Sequence, residues 1–373
     1  MLNYDYVIIG AGISGCSVAY ELAQHNSNIL VIDKNSDVAS GASGAAGAFL
    51  SPLLGKSNPF KDLVTKSLKY STKFYQEKFP KYINNCGTTR IPQNDEDEKK
   101  FKSYIPFMDF EYEKEEQGYF FKIGSVIDSF KMCKAILDSV NSKIETKFGY
   151  EINTIEYTND IWLLNKDISA KNIIFTSGSE VSLIDQFYLK IRPVWGQRID
   201  ISTTTSFSHN YHKACSISQS KSLDTHKHFV SIGATHHRDK KGIKNISENS
   251  MELLTKANEI KQLDDVEVLN HNIGARACSI DYFPIVGNII DAKTTLDEFP
   301  YLVNGTHVEP KRFTQFKNLH ILTGVGGRGF VLAPYLAHKL VNSIIKNEKL
   351  DKSITIDRLF QREVKRHTNP LGI

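Results

Sequence analysis

The chain has 373 residues, 40% of them hydrophobic and 24% charged, and a formal net charge of +4. That length allows about two domains, and the composition is that of a folded protein, which excludes a disordered or low-complexity chain. The small positive balance permits a polyanionic partner without arguing for one, and no apolar run nears the roughly 20 residues that span a bilayer.

The first apolar run, Tyr6-Val7-Ile8-Ile9, has Asp5 beside it and reads as a strand, not a secretory leader, so a cytoplasmic protein with no membrane contact is expected. Gly10-Ala11-Gly12-Ile13-Ser14-Gly15 follows at once, and Ile13 to Gln24 has apolar positions at helical spacing. In such a unit one glycine makes the tight turn, one lets a pyrophosphate approach the backbone, and one allows close helix–strand packing. The helix N-terminus then presents unpaired N–H groups to the phosphate oxygens. A second strand, Asn28 to Ile32, ends on Asp33, a carboxylate suited to a ribose 2′-hydroxyl. Strand, glycines, helix, strand and acid in this order predict an ADP-containing dinucleotide.

Small residues then fill 39–48, among them Ser43, Gly44 and Gly47, which lets backbone and hydroxyl groups come close to a ligand; a flexible linker is the alternative. Ser43 lacks the G-x-S-x-G spacing of a hydrolase nucleophile. Asn58 and Pro59 read as the cap and first residue of a helix with a buried stripe from Phe60 to Tyr75. The run Asp95 to Lys100 is expected to be a solvated loop, and 128–140 a helix. Segments 151–157 and 161–164 form a hairpin around Asn159-Asp160. Lys171 to Ser177 is a buried strand ending at Gly178. Several short strands, with Val194–Ile201 and His228–Gly233 among them, and a helix near 248–261 predict a second, antiparallel domain. Leu319–Thr323, the turn Gly324–Gly329 and a helix over Phe330–Lys346 return the chain to the nucleotide fold, so that domain is assembled from separated segments. The expected architecture is α/β (α+β): a discontinuous Rossmann-like domain from 1–83, 142–190 and 315–373, and an antiparallel-sheet substrate domain from 84–141 and 191–314.

The five cysteines, at 16, 86, 133, 215 and 278, are too scattered for a zinc or CxxC redox signature, and free thiols are expected. His236-His237 has no third ligand at sensible spacing, so no metal site is expected. His236 to Lys241 forms one basic patch, and Arg358, Arg362, Lys365 and Arg366 another; each is either a phosphate contact or ordinary surface charge.

The motifs together resemble those of the D-amino-acid oxidase-like superfamily of FAD enzymes, which includes glycine and sarcosine oxidases. The likeness runs through nearly the whole chain: the N-terminal glycines with Asp33, Gly41 to Gly44, Gly178, Arg192 to Gln197, Gly233-Ala234-Thr235, Arg276 with Asp281 to Gly287, and Gly324 to Pro334. Within it, Gly41 to Leu54, Ala275 to Asn288 and Gly324 to Pro334 are most similar to the C-terminal oxidoreductase half of the bifunctional tRNA-modifying enzyme MnmC. The methyltransferase half of that enzyme is missing, so the resemblance implies a stand-alone oxidoreductase, with any methyltransferase a separate partner acting downstream.

The resemblance implies FAD, held without a covalent link, as cofactor, with contacts at Gly10, Gly12, Gly15, Asp33, Ser43, Gly44, Gly47, Ile152, Gly178, Gly327, Gly329 and Phe330. It implies oxidation of a C–N bond beside a carboxylate. The implied substrate is 5-carboxymethylaminomethyl-(2-thio)uridine at the tRNA wobble position, and the products are the 5-aminomethyl nucleoside and glyoxylate. Arg276 falls where such enzymes clamp the carboxylate, a role that a bidentate guanidinium suits; a structural ion pair is the alternative. Arg328, in the turn before the last helix, is open to flavin, carboxylate or tRNA backbone. Cys215 to Ser218 stands where amine oxidases carry a substrate-facing tyrosine. That weighs against the alternative reading, a glycine- or sarcosine-type oxidase of free small amino acids.

Overall fold

The computed structural model of the chain describes residues 2–25, 27–238 and 242–367. The N-terminal apolar run is the strand Leu2–Ile9, flanked in parallel by Ile29–Asp33 and Ile168–Phe175. Ile144–Phe148 extends the sheet beyond Ile29–Asp33, and Gln315–Thr323 pairs in parallel with the end of Ile168–Phe175. Antiparallel strands complete it: the hairpin Ile155–Thr158 and Ile161–Leu164 on one segment, and Ile285–Ile290 against Gln315–Thr323. Asn159 and Asp160 take the left-handed conformations that a two-residue hairpin turn requires.

A parallel sheet must be covered on both faces. On one, the helices Ile13–Leu22, Pro59–Lys78, Ser129–Asp138 and Gly329–Lys346 pack over Ile8, Val31, Ile174 and Leu322. On the other, Tyr188, Phe313 and Phe360 enclose Val7, Ile9, Ile173 and Ile321. The Asn58 side chain caps its helix by accepting from the N–H groups of Phe60 and Lys61, with Pro59 at the first helical position, as the sequence requires.

Among the described residues the second sheet has nine strands, all from the stretches 84–141 and 191–314. Beside several short strands it has two long antiparallel ones, Ile191–Thr203 and Glu267–Ser279. Its outer face, with Ile199, Ile201, Ile217, Val230 and Ile232, is covered by Leu253 and Ala257 of the helix Ile246–Asn258. Its other face looks toward the parallel sheet. Helix Ser129–Asp138 and strand Ile285–Ile290, which the expected boundaries give to the substrate domain, belong instead to the core and sheet of the nucleotide fold.

Two further expectations need correction. The charged run at 95 is the first half of a helix, Asp95–Tyr104, because Asn94 caps it and four acidic residues occupy its first turn. Phe101 alone among its residues is buried, so the run is solvated as expected but helical rather than a loop. Of the C-terminal basic cluster, Arg358 grips Asp281 in two hydrogen bonds of 2.8 and 3.1 Å and donates to the carbonyls of Phe283, Pro284 and Thr355. It is a structural clamp, and Arg366 is paired with Glu363. The five cysteines are free, as expected. Among the described residues no helix is long and apolar enough to cross a membrane, and no group of side chains could hold a metal ion.

The Asp281–Arg358 pair ties the loop after the long strand to the C-terminal segment. Burial works against the charge of Asp281, but Arg358, Ser279 and the Phe283 N–H outweigh it and hold the carboxyl below the usual aspartate range. Arg358→Gln is expected to cost about 2–3 kcal/mol, less than a fully buried pair, read as a lower midpoint in urea unfolding. Because the folded carboxyl is the stronger acid, this contribution is complete above the ordinary aspartate value and fades only as pH falls through the folded one. The deficit between wild type and variant is therefore constant near neutrality and shrinks in strong acid; a deficit that grew in acid would contradict the assignment.

Candidate active site

The glycine turn at 10–15 is a contact of backbones. Gly10 has φ +108°, and a Cβ on Gly15 would collide with the Gly10 carbonyl oxygen, so helix Ile13–Leu22 leaves the strand with no gap between them. The first N–H groups of a helix have no partner within it. Here the N–H of Ile13 is taken by Ser43 Oγ at 2.9 Å, which docks the short helix Ala42–Ala45 on the turn. Asp33 ends the second strand, as expected; its Oδ2 accepts from the Ala11 N–H at 2.7 Å, and its Oδ1 accepts from Asn35. The carboxylate therefore braces the turn while standing at the cavity wall.

The last helix repeats the arrangement from the far end of the chain. Gly324 and Gly326 have positive φ, the turn Gly326–Arg328 is a single 3₁₀ turn, and Gly329 starts the helix with no side-chain cap. A Cβ on Gly329 would stand 3.2 Å from Ile13 Cγ2, so two helix N-termini lie side by side. Both face a single cavity of about 1100 Å³ between the parallel sheet and the inner face of the antiparallel one. That exceeds the 300–1,000 Å³ or so of an ordinary small-molecule site and leaves room for a dinucleotide with a second molecule beside it.

Of the residues expected at the site, Gly10, Gly12, Asp33, Ser43, Gly47, Ile152, Gly178, Arg276, Gly327, Arg328, Gly329 and Phe330 line this cavity. Gly15 and Gly44 lie behind the wall: Gly44 closes the turn onto the Ala39 carbonyl, where a Cβ would not fit. One end of the cavity carries Asp33, Glu151 and Glu180, the last paired with Lys34 at 2.6 Å. The other carries Arg90, Arg198, Arg276 and Arg328 with His212 and His236.

Arg276 lies flat on Gly196, where a Cβ would meet its guanidinium nitrogens at 2.5 Å, and donates to the Thr235 carbonyl at 3.1 Å. The arginine–carboxylate pairs among the described residues are Arg198–Asp200, Arg358–Asp281 and Arg366–Glu363, so Arg276 is not one half of a structural ion pair. Burial lowers its pKa, and it pushes that of Arg328 down to about 10, still a cation at any working pH. His236 faces the cavity, while His237 pairs backbone to backbone with Trp195, which absorbs the histidine pair into the sheet. Asp239, Lys240 and Lys241 of that patch lie outside the described residues.

Two residues escape the sequence reading. Arg90, at the end of Thr88–Arg90, and His212, at the end of Asn210–His212, both line the cavity. His212 Nδ1 lies 2.6 Å from Ser216 Oγ, within the Cys215 to Ser218 stretch. Burial, then Arg90, Arg328 and His236, hold its pKa well below the ordinary histidine value, and the ring is neutral. The signal for both is tertiary, since the two strands pair across more than a hundred residues.

The sequence profile of the DAO family, described as FAD dependent oxidoreductase, matches residues 5–343. The chain is 24% identical over 397 residues to the tRNA 5-methylaminomethyl-2-thiouridine biosynthesis bifunctional protein MnmC of Legionella pneumophila (strain Lens), covering 96% of this chain and 57% of that protein. It is 26% identical over 375 residues to the protein of the same name from Campylobacter jejuni subsp. doylei, covering 93% and 56%. The chain thus spans little more than half the length of these curated relatives. Its fold is similar to that of glycine oxidase from Geobacillus kaustophilus, with a TM-score of 0.72, 16% identity, and 94% and 96% of the two chains covered. Two helix N-termini, a glycine cradle and a cavity of dinucleotide size fit the cofactor in the family's description. The chain belongs to the DAO family and is an FAD-dependent oxidoreductase.

Proposed function

We propose that the chain oxidises the C–N bond of 5-carboxymethylaminomethyl-(2-thio)uridine at the tRNA wobble position, releasing glyoxylate and leaving the 5-aminomethyl nucleoside. The observation that carries this reading is the cationic end of the cavity: Arg276 and Arg328 face it with no carboxylate partner among the described residues. A group of that kind calls for an anionic substrate. The relatives named for 5-methylaminomethyl-2-thiouridine biosynthesis align over nearly the whole of this chain, which supplies the substrate class. Tyr282 supports a nucleobase: it lines the cavity, is 59% exposed, and has the Arg192 guanidinium 5.6 Å from its ring centre. Exposed aromatic rings stack the unpaired bases of RNA loops.

In this reading Gly10, Gly12 and Ser14 would receive the diphosphate of FAD, with Ser43 and Gly47 forming the wall beside them and Gly44 supporting it from behind. Asp33 would take the ribose, Ile152 and Gly178 would flank the adenine end, and Gly327, Gly329 and Phe330 would meet the isoalloxazine at the last helix. FAD, when bound, supplies the two-electron acceptor. The protein contributes position and field. Arg276 holds the carboxylate of the substrate and so fixes the adjacent CH₂. The helix N-terminus at Gly329 favours negative charge. Loss of a hydride and a proton gives an imine, and water adds to its carbon to split off glyoxylate. The aminomethyl product is then a substrate for a methyltransferase.

Deletion of the gene is expected to make the carboxymethylaminomethyl nucleoside accumulate in tRNA digests analysed by mass spectrometry. An unchanged profile, with brisk peroxide formation from glycine or sarcosine by the purified protein, would replace this reading with a free-amine oxidase. Arg276→Gln is expected to lower kcat/KM about 100-fold, as loss of one partner of a desolvated charge pair does, mainly through KM, while flavin content is kept. Unaltered KM would remove the carboxylate role.

A further inference from the structure

We propose that Arg90, Arg328 and His212 form a second anion-binding subsite in this cavity, apart from Arg276, and that the substrate brings it a second negative group, a carboxylate or a phosphate. The inference rests on the reading that the cationic end receives the substrate.

The antiparallel sheet builds the subsite by register. His212 is opposite Arg90 on one neighbouring strand and opposite Ser216 on the other; Ser216 is opposite Gly233, and Gly233 opposite Arg198. Residues directly opposite one another project from the same face, and all five line the cavity. A Cβ on Gly233 would stand 3.1 Å from Arg198 Cγ, so the glycine lets the Arg198 stem lie against the strand. Arg198 is paired with Asp200 and donates to the Ala46 carbonyl, although its Nε has no partner. Arg90 has no ion-paired carboxylate among the described residues: one terminal nitrogen donates to the Pro52 carbonyl at 2.9 Å, and its Nε too is buried without a partner. Arg328 enters from the opposite wall, at the start of the last helix.

Two guanidinium groups are thereby brought close enough to oppose each other's charge; Asp97 attracts Arg90 only from beyond ion-pair distance, and among the described residues no carboxylate is ion-paired to either arginine. Desolvated cations of like sign persist in a fold when an anion offsets the cost. A planar fork also matches carboxylate and phosphate oxygens better than it matches a halide. Arg276 is anchored elsewhere, against Gly196 and the Thr235 carbonyl, and is left for the group next to the oxidised carbon.

The test uses the FAD-loaded protein and three pairs of compounds that differ by one anion: 5-carboxymethylaminomethyluridine and its 5′-monophosphate, sarcosine and iminodiacetate, and the unreactive acetate and malonate. KM is measured for the first two pairs and the dissociation constant, from perturbation of the flavin spectrum, for the third. In the wild type malonate is expected to bind more tightly than acetate by about tenfold, the size of one hydrogen bond to a charged group. Arg90→Gln and, separately, Arg328→Gln are expected to shrink this ratio to about twofold or less, and Arg90→Lys to keep part of it. An Arg90-dependent advantage of the monophosphate over the nucleoside identifies the anion as phosphate, and one of iminodiacetate over sarcosine identifies it as carboxylate. No dianion advantage in any pair, or an advantage that survives both glutamine variants, overturns the proposal. If the nucleosides are not oxidised while malonate still shows the Arg90-dependent gain, the tRNA reading fails and the subsite stands. Flavin content and melting temperature check that each variant is folded, and Arg328→Gln with Arg90→Lys carries the test should Arg90→Gln fail that check.

Discussion

Everything at the site depends on how closely two helices approach the ends of their strands. Ile13–Leu22 can start directly on its strand because Gly15 has no side chain to strike the Gly10 carbonyl, and Gly329 lets the last helix settle against Ile13. Helices carry partial positive charge at their N-termini, and bringing two of them to one point would be unfavourable without negative charge between them. The fold thus creates a demand for an anionic ligand before any side chain is considered. Ser43 meets a small part of that demand at Ile13. The rest is open to the cavity.

The side chains then divide the cavity into unlike halves. Asp33, Glu151 and Glu180 lie at one end and four arginines at the other, with the two helix starts between them. An elongated ligand with hydroxyl groups at one end and anionic chemistry in its middle is oriented by that division. The arginine end has a surplus of positive charge that a carboxylate of the chain could have neutralised, as Asp200 and Asp281 do for Arg198 and Arg358. For Arg90, Arg276 and Arg328 the fold provides no such partner among the described residues, which leaves that role to the substrate.

Much of this was legible in the sequence wherever the chemistry is local. The glycine turn, Asp33, the Asn58-Pro59 cap and the strand–turn–helix at 319–346 each depend on neighbours a few residues away, and each stands where the pattern puts it. Arg276 and Arg328 were reached through a family likeness, and both line the cavity. What escaped is set by distant pairing. Arg90 sits in a three-residue strand with no periodicity to betray its face, and His212 acquires its place only when Asn210–His212 lies in parallel beside Thr88–Arg90. The basic residues at the C-terminus misled for the same reason, since a list of charges does not show that Arg358 has Asp281 waiting 77 positions away. The helix at 95–104 shows the opposite failure: a local cap at Asn94 outweighed a composition that suggested a loop.

We infer that one molecule of FAD lies between the two sheets, held by backbone and field without a covalent bond. The most direct measurement is the visible absorbance of the purified chain, followed by heat or acid denaturation and quantification of the flavin in the protein-free supernatant. A yellow protein that releases one FAD per chain is the expected result. A protein that stays colourless after incubation with FAD, or whose flavin remains attached to the denatured polypeptide, would contradict it.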